Sequence, residues 1–160
     1  MLSVMLHGVR GSLPATGESF SRYGGNTTCF EIETEDSQIF IDAGTGFSSA
    51  SIGKHKKKVY LLFTHLHHDH LQGLLFNPRL FARNQEIIVS SALMDGVKLK
   101  QHLAEYFSPP FFPPSIFSCM KCLNFLDFDH FIMQKSLDLI VECISLKHPG
   151  GAFGYSFKSG

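Results

Sequence analysis

Five consecutive apolar residues, Val59 to Phe63, run straight into Thr64-His65-Leu66-His67-His68-Asp69-His70. An unbroken apolar run of this length reads as a β-strand covered on both faces. A chain with such a strand must supply layers above and below it, which requires a layered α/β or α+β domain. The polar cluster then falls at the strand end, where the sheet fixes the backbone on one side and the next element fixes it on the other. His65, His67, Asp69 and His70 crowd four metal-capable side chains into this elbow. Alternation directs positions 65, 67 and 69 one way, while His70 turns toward a neighbouring position. Such an arrangement suits two divalent metal ions close together rather than one. Imidazole with carboxylate favours zinc, with manganese and iron left open. Lone histidines in turns ordinarily have no ligand role, but this spacing after a buried strand is not that case.

The rest of the chain fits the layered reading. Leu2 to Leu6 is a first strand, broken by Gly8-Val9-Arg10-Gly11-Ser12. In Thr28 to Thr34, Phe30, Ile32 and Thr34 alternate with Glu31 and Glu33, the pattern of a half-buried strand. Glu35-Asp36-Ser37 is a turn, Gln38 to Ile41 the hairpin partner, and Asp42-Ala43-Gly44-Thr45-Gly46 another break. Leu71 to Phe76 reads as a short helix, Glu86 to Ser90 as a strand, and Ala92 to Tyr106 as a helix spaced on Leu93, Val97 and Leu103. Ser108 to Pro114 is Pro-rich and irregular. Leu137 to Leu146 alternates, and Ala152 to Phe157 is one more strand, running into Lys158-Ser159-Gly160 as a hairpin turn. No repeat or flexible linker divides residues 1–160, which read as one domain.

Composition narrows the partners. Lys and Arg total 14 and Asp and Glu total 14, so no whole-surface attraction draws the chain to nucleic acid. No apolar run reaches membrane-spanning length, and Met1 to His7 lacks the form of an export signal. The four cysteines are then expected as reduced thiols in a cytoplasmic protein.

His-x-His-x-Asp-His after a strand resembles the signature of the metallo-β-lactamase hydrolases. The resemblance implies an αββα sandwich, with His65 and His67 on one metal and Asp69 and His70 on a second. It also implies a third histidine for the first metal at a later strand end. His148, before Pro149-Gly150-Gly151, is similar to it, and the ring nitrogens of His65, His67 and His148 are expected within about 5 Å of a common centre. Gly8 to Ser12, Tyr23-Gly24-Gly25-Asn26-Thr27-Thr28-Cys29 and Asp42 to Gly46 resemble the branch holding ribonuclease Z and the cyclic phosphodiesterases. Ser108-Pro109-Pro110-Phe111-Phe112-Pro113 and His148 to Tyr155 resemble its bacterial phosphodiesterase-like members. The family's bridging aspartate and final histidine have no counterpart here, so the expectation is an N-terminal part of the sandwich, a single incomplete domain.

The implied activity is metal-dependent hydrolysis of a small phosphodiester, cyclic nucleotides foremost. A water bridging the metals would serve as nucleophile, with Asp69 both ligand and catalytic orienter. Alternatives are a tRNA 3′-end endonuclease, for which the chain shows no basic arm, and a non-catalytic truncated remnant. Nucleic acid as partner and self-association stay open; a membrane is not expected. Ser108, Pro109 and Phe111 are candidate substrate contacts, a rigid wall on which a base could stack, against plain Pro-rich packing. Cys119-Met120-Lys121-Cys122 has half-zinc spacing but no second pair. Lys54-His55-Lys56-Lys57-Lys58 is a basic run, either a solvated connector or a phosphate-steering patch. Arg10 and the Gly24-Gly25-Asn26 loop are either substrate contacts or simple turns.

Overall fold

The computed structural model describes residues 2–53, 57–81, 85–113, 117, 121–134 and 137–159. Six strands form one sheet in sequence order: β1 (Ser3–Gly8), β2 (Cys29–Glu33), β3 (Ser37–Ile41), β4 (Lys58–Phe63), β5 (Ile87–Ser91) and β6 (Leu123–Phe125). The β1–β2 and β2–β3 pairs are antiparallel, whereas β3, β4, β5 and β6 run parallel. β7 (Leu139–Leu146) and β8 (Ala152–Ser159) make a separate antiparallel pair. The α-helices among the described residues are α1 (Gly96–Tyr106) and the short α2 (Phe128–Ile132).

β4 shows why the apolar run matters. Val59, Leu61 and Phe63 point into a core shared with Phe40, Val89, Leu99 and Leu103, under α1. Tyr60 and Leu62 point into a second core with Ile39, Ile41, Phe131, Leu139 and Val141, under the β7–β8 pair. The central strand is thus covered on both faces, as its sequence requires, and the order of layers is helix, sheet, sheet. No helix among the described residues is long and apolar enough to cross a membrane.

Several sequence expectations shift. Glu31 does not face solvent; it is only 1% exposed. Register pairs it with Phe40 on the α1 side, and its carboxylate accepts from His7 Nε2 at 2.6 Å and Gln38 Nε2 at 2.8 Å. A buried carboxylate is tolerated when such donors replace water. Leu71 to Phe76 is not an α-helix but a turn followed by a 3-10 segment at Leu74–Phe76. α1 starts later than its apolar spacing suggests, because Asp95 caps it by accepting from Lys98 N at 2.8 Å. Its buried stripe is Gly96, Leu99 and Leu103, while Val97 stays exposed. Lys158 and Ser159 are not a hairpin turn: they remain in β8, opposite Ile140 and Leu139. β6 and α2 have no clear sequence signal.

Candidate metal centre

The site grows from the parallel pairing of β3 and β4. Their register sets Ile41 beside Leu62, so the next residues, Asp42 and Thr64, meet at the sheet's edge. Asp42 takes a positive φ of 61°, a conformation aspartate tolerates better than most side chains. Three donors converge on its buried carboxylate: Thr64 N at 2.8 Å, Thr64 Oγ1 at 2.8 Å and His70 Nδ1 at 2.7 Å. Thr64 Oγ1 also meets His65 Nδ1 at 2.9 Å. A hydroxyl has one proton, and here it goes to Asp42. The second bond must therefore be donated by His65 Nδ1. His65 is thus fixed with the proton on Nδ1 and a lone pair on Nε2, the form in which imidazole binds a metal, and His70 keeps its Nδ1 proton on Asp42 with Nε2 turned away from it.

Backbone packing fixes the turn itself. Ala43 N donates to His70 O at 2.8 Å and Gly73 N to Ala43 O at 2.9 Å. A Cβ at Gly73 would lie 1.9 Å from Gly44 O, and one at Gly44 would lie 2.4 Å from Asp69 O. Only glycine permits this approach.

His148 arrives from the other sheet. The Tyr155 hydroxyl of β8 donates to Phe63 O at 2.9 Å and accepts from Ala92 N at 2.8 Å, and Phe153 N donates to Thr64 O at 3.1 Å. These bonds seat the β7–β8 turn over the end of β4. Ligand atoms of His65, His67 and His148 all lie within 4.8 Å of one another, and His148 Nε2 is 3.2 Å from His67 Nδ1. Tetrahedral zinc with bonds of about 2.0–2.1 Å holds its ligand nitrogens roughly 3.3 Å apart. The donor set therefore fits a divalent cation.

Asp69 and His70 form a neighbouring pair outside this trio. Their Oδ2 and Nε2 atoms are 3.5 Å apart, and the His65 and His70 ring centroids are 4.1 Å apart. Burial raises the Asp69 carboxyl, but Ser12 N, which donates to Oδ2 at 2.7 Å, and nearby His70 outweigh it and hold the group below its ordinary range. Burial depresses the His65 pKa to about 4, helped by His70, His67 and His148; its ring is neutral at physiological pH. For His70, burial lowers and the Asp42 bond raises, and Asp42 prevails.

Sequence reasoning gives Asp42, Thr64 and the Ser12 amide no role at the site; Asp42 reads there as the start of a break and as part of a segment that resembles the ribonuclease Z branch. Ser108 to Pro113 of the Pro-rich stretch lie at the end of α1, where Ser108 Oγ donates to Glu105 O at 2.6 Å, and Pro114 lies outside the described residues. Phe111 is exposed, while Phe112 packs on Phe107 with centroids 5.0 Å apart. None of Ser108, Pro109 and Phe111 lines the pocket beside the histidines. Arg10 stacks over Phe20 at 4.6 Å. Lys57 bonds Glu33 Oε1 at 2.9 Å, and Lys54, His55 and Lys56 lie outside the described residues. So does Cys119; Cys122 Sγ donates to Leu80 O at 3.1 Å.

The sequence matches no family model and no curated protein. Solved structures do match. YhfI of Bacillus subtilis, a metallo-β-lactamase fold protein, aligns with 98% of this chain at TM-score 0.65 and 16% identity. This chain has the metallo-β-lactamase fold. A PhnP-family diphosphatase (98% of the chain, TM-score 0.63, 15% identity) and the short form of human tRNase Z, ELAC1 (99%, 0.61, 15%), share that metallo-β-lactamase fold. The chain spans 57% of the length of YhfI, 63% of the diphosphatase and 65% of the tRNase Z.

Proposed function

We propose that this chain carries the metal-binding part of a metal-dependent hydrolase acting on small phosphodiesters, with cyclic nucleotides as the substrate class. The observation that carries the reading is the convergence of His65, His67 and His148 within 4.8 Å, beside Asp69 and His70. His65, His67 and His148 would hold one divalent ion, zinc before manganese or iron, and Asp69 with His70 would contribute to a second. When bound, such ions neutralise charge on phosphoryl oxygens and make water a better nucleophile near neutral pH.

The chain's own residues do the rest. Asp42 holds the proton on His70 Nδ1 and, through Thr64, on His65 Nδ1, so both Nε2 atoms stay available. Asp69 is a carboxylate, held in place by Ser12 N, and would orient the attacking water by accepting a hydrogen bond from it. The diphosphatase and the tRNase Z among the fold neighbours support phosphate ester chemistry over lactam chemistry. Cys29, Cys122 and Cys143 are free thiols, which supports a cytoplasmic setting.

The test is turnover of bis(p-nitrophenyl) phosphate and of a cyclic nucleotide by the full-length protein supplied with zinc or manganese, with penicillins and cephalosporins alongside; residues 1–160 alone should show little turnover, because the family's bridging aspartate and final histidine are not among them. Phosphodiester cleavage that His67→Ala abolishes is the expected result. Lactam cleavage without phosphodiester cleavage would overturn the reading.

A further inference from the structure

The geometry points to an apolar subsite, built by α1 next to the three histidines, for the non-reacting group of the substrate. This rests on the metal-centre reading above and narrows its substrate to a phosphate ester that carries an aromatic or similarly apolar group.

A pocket of about 340 Å³ opens directly off His65 and His67. That volume is at the small end of ligand-sized sites, enough for one ring system rather than a polymer. Its walls are Leu66 from the motif turn, Leu93 and Met94 from the segment ahead of α1, and Leu103 and Tyr106 from α1. Leu103 is fully buried and forms the floor. Met94 adds an adaptable thioether, suited to ring edges.

Polar groups are few and lie at the rim. His102, one helical turn before Tyr106, is exposed and sits 3.6 Å from Glu105. The Tyr106 hydroxyl is engaged by His68 Nδ1, so Tyr106 offers the pocket mainly the face of its ring. No lysine or arginine among the described residues lines the pocket. A second phosphate or a polynucleotide backbone would find no countercharge here, whereas a ring would exchange water for aliphatic and aromatic contacts.

The far wall is glycine. Gly150 and Gly151 have φ values of 82° and 83°. A Cβ at Gly151 would lie 2.9 Å from Leu93 Cδ1, and one at Gly150 3.8 Å from His67 Nε2. At these φ values a side chain would be strained, so the turn stays bare backbone on the side of the pocket nearest His67.

Binding can be measured without turnover. The zinc-loaded chain is titrated calorimetrically with inorganic phosphate, methyl phosphate and phenyl phosphate, and zinc content is measured on the same sample. Phenyl phosphate should bind about tenfold tighter than methyl phosphate, the return expected for partly burying one ring. The double variant Leu93→Ser, Met94→Ser should bring that ratio close to one while zinc content and inorganic phosphate affinity hold. The wild-type comparison stands by itself if the variant does not fold. Equal affinity for the two esters on a protein that binds zinc and inorganic phosphate overturns the subsite alone. Failure to bind zinc overturns the metal-centre reading and the subsite with it.

Discussion

At the scale of single residues, Asp42 decides more than any side chain that would touch a metal. It fixes one histidine directly, at 2.7 Å from His70 Nδ1, and another through Thr64. An amide cannot replace it. A side-chain amide has one acceptor oxygen, and its NH₂ group would face Thr64 or His70, both of which donate. Asp42→Asn should therefore weaken zinc binding by about 10- to 100-fold, the usual effect of losing an outer-shell partner. Competition with a chromophoric chelator measures this, with circular dichroism reporting the fold. Unchanged affinity would show that the histidines orient themselves. His65, His67, Asp69 and His70 are legible in the sequence because their spacing is local. Asp42 is not: Thr64 abuts the histidine motif, but its partnership with a residue 22 positions earlier arises only from the β3–β4 register.

At the scale of elements, strands whose two faces see one environment each are easily read, and elements fixed by tertiary polar contacts are not. The β4 run announces two cores. Glu31 looks like a solvent position because alternation cannot show that His7 and Gln38 will donate to it. Apolar spacing places the start of α1 too early because Leu93 fits a helical repeat, yet the cap at Asp95 sets the start.

A further tertiary contact pins β7 to the β2–β3 hairpin: Thr34 Oγ1 donates to Asp138 Oδ1 at 2.7 Å. Burial raises the Asp138 pKa, but the bonds from Thr34 and Ser37 outweigh it, and the group lies below its ordinary value of 3.8. A depressed carboxylate stabilises the fold above its unfolded pKa and loses that contribution as pH falls through the folded value. Asp138→Asn should thus cost roughly 0.5 kcal/mol at pH 7, small because Asp138 is exposed. The difference from wild type should close below pH 3.8. Urea unfolding at neutral and acid pH measures it; a difference that persists in acid would mean the carboxylate charge is not the cause.

At the scale of the whole molecule, the three converging histidines belong to two layers. His65 and His67 extend from β4 of the six-stranded sheet, and His148 from the turn between β7 and β8 of the smaller one. The pair of sheets is also joined by the apolar core around Tyr60 and Leu139, by the Tyr155 bonds, by Phe153 N on Thr64 O and by Thr34 on Asp138. A metal held by all three rings would be a cross-layer tie, and its binding energy would add to the stability of the folded state alone. At a free metal concentration 100 times the dissociation constant, that linkage amounts to about 2.7 kcal/mol. Zinc should therefore raise the melting temperature, and a chelator should reverse the rise. Amide exchange should then increase first in β7 and β8, the smaller layer, before the six-stranded sheet opens. His148→Ala separates this from general stabilisation. His148 is exposed, so its loss should change the metal-free melting temperature little, while removing most of the zinc-dependent increment. A variant that keeps the full increment would show that zinc binds elsewhere, and that the three rings meet for reasons of packing alone.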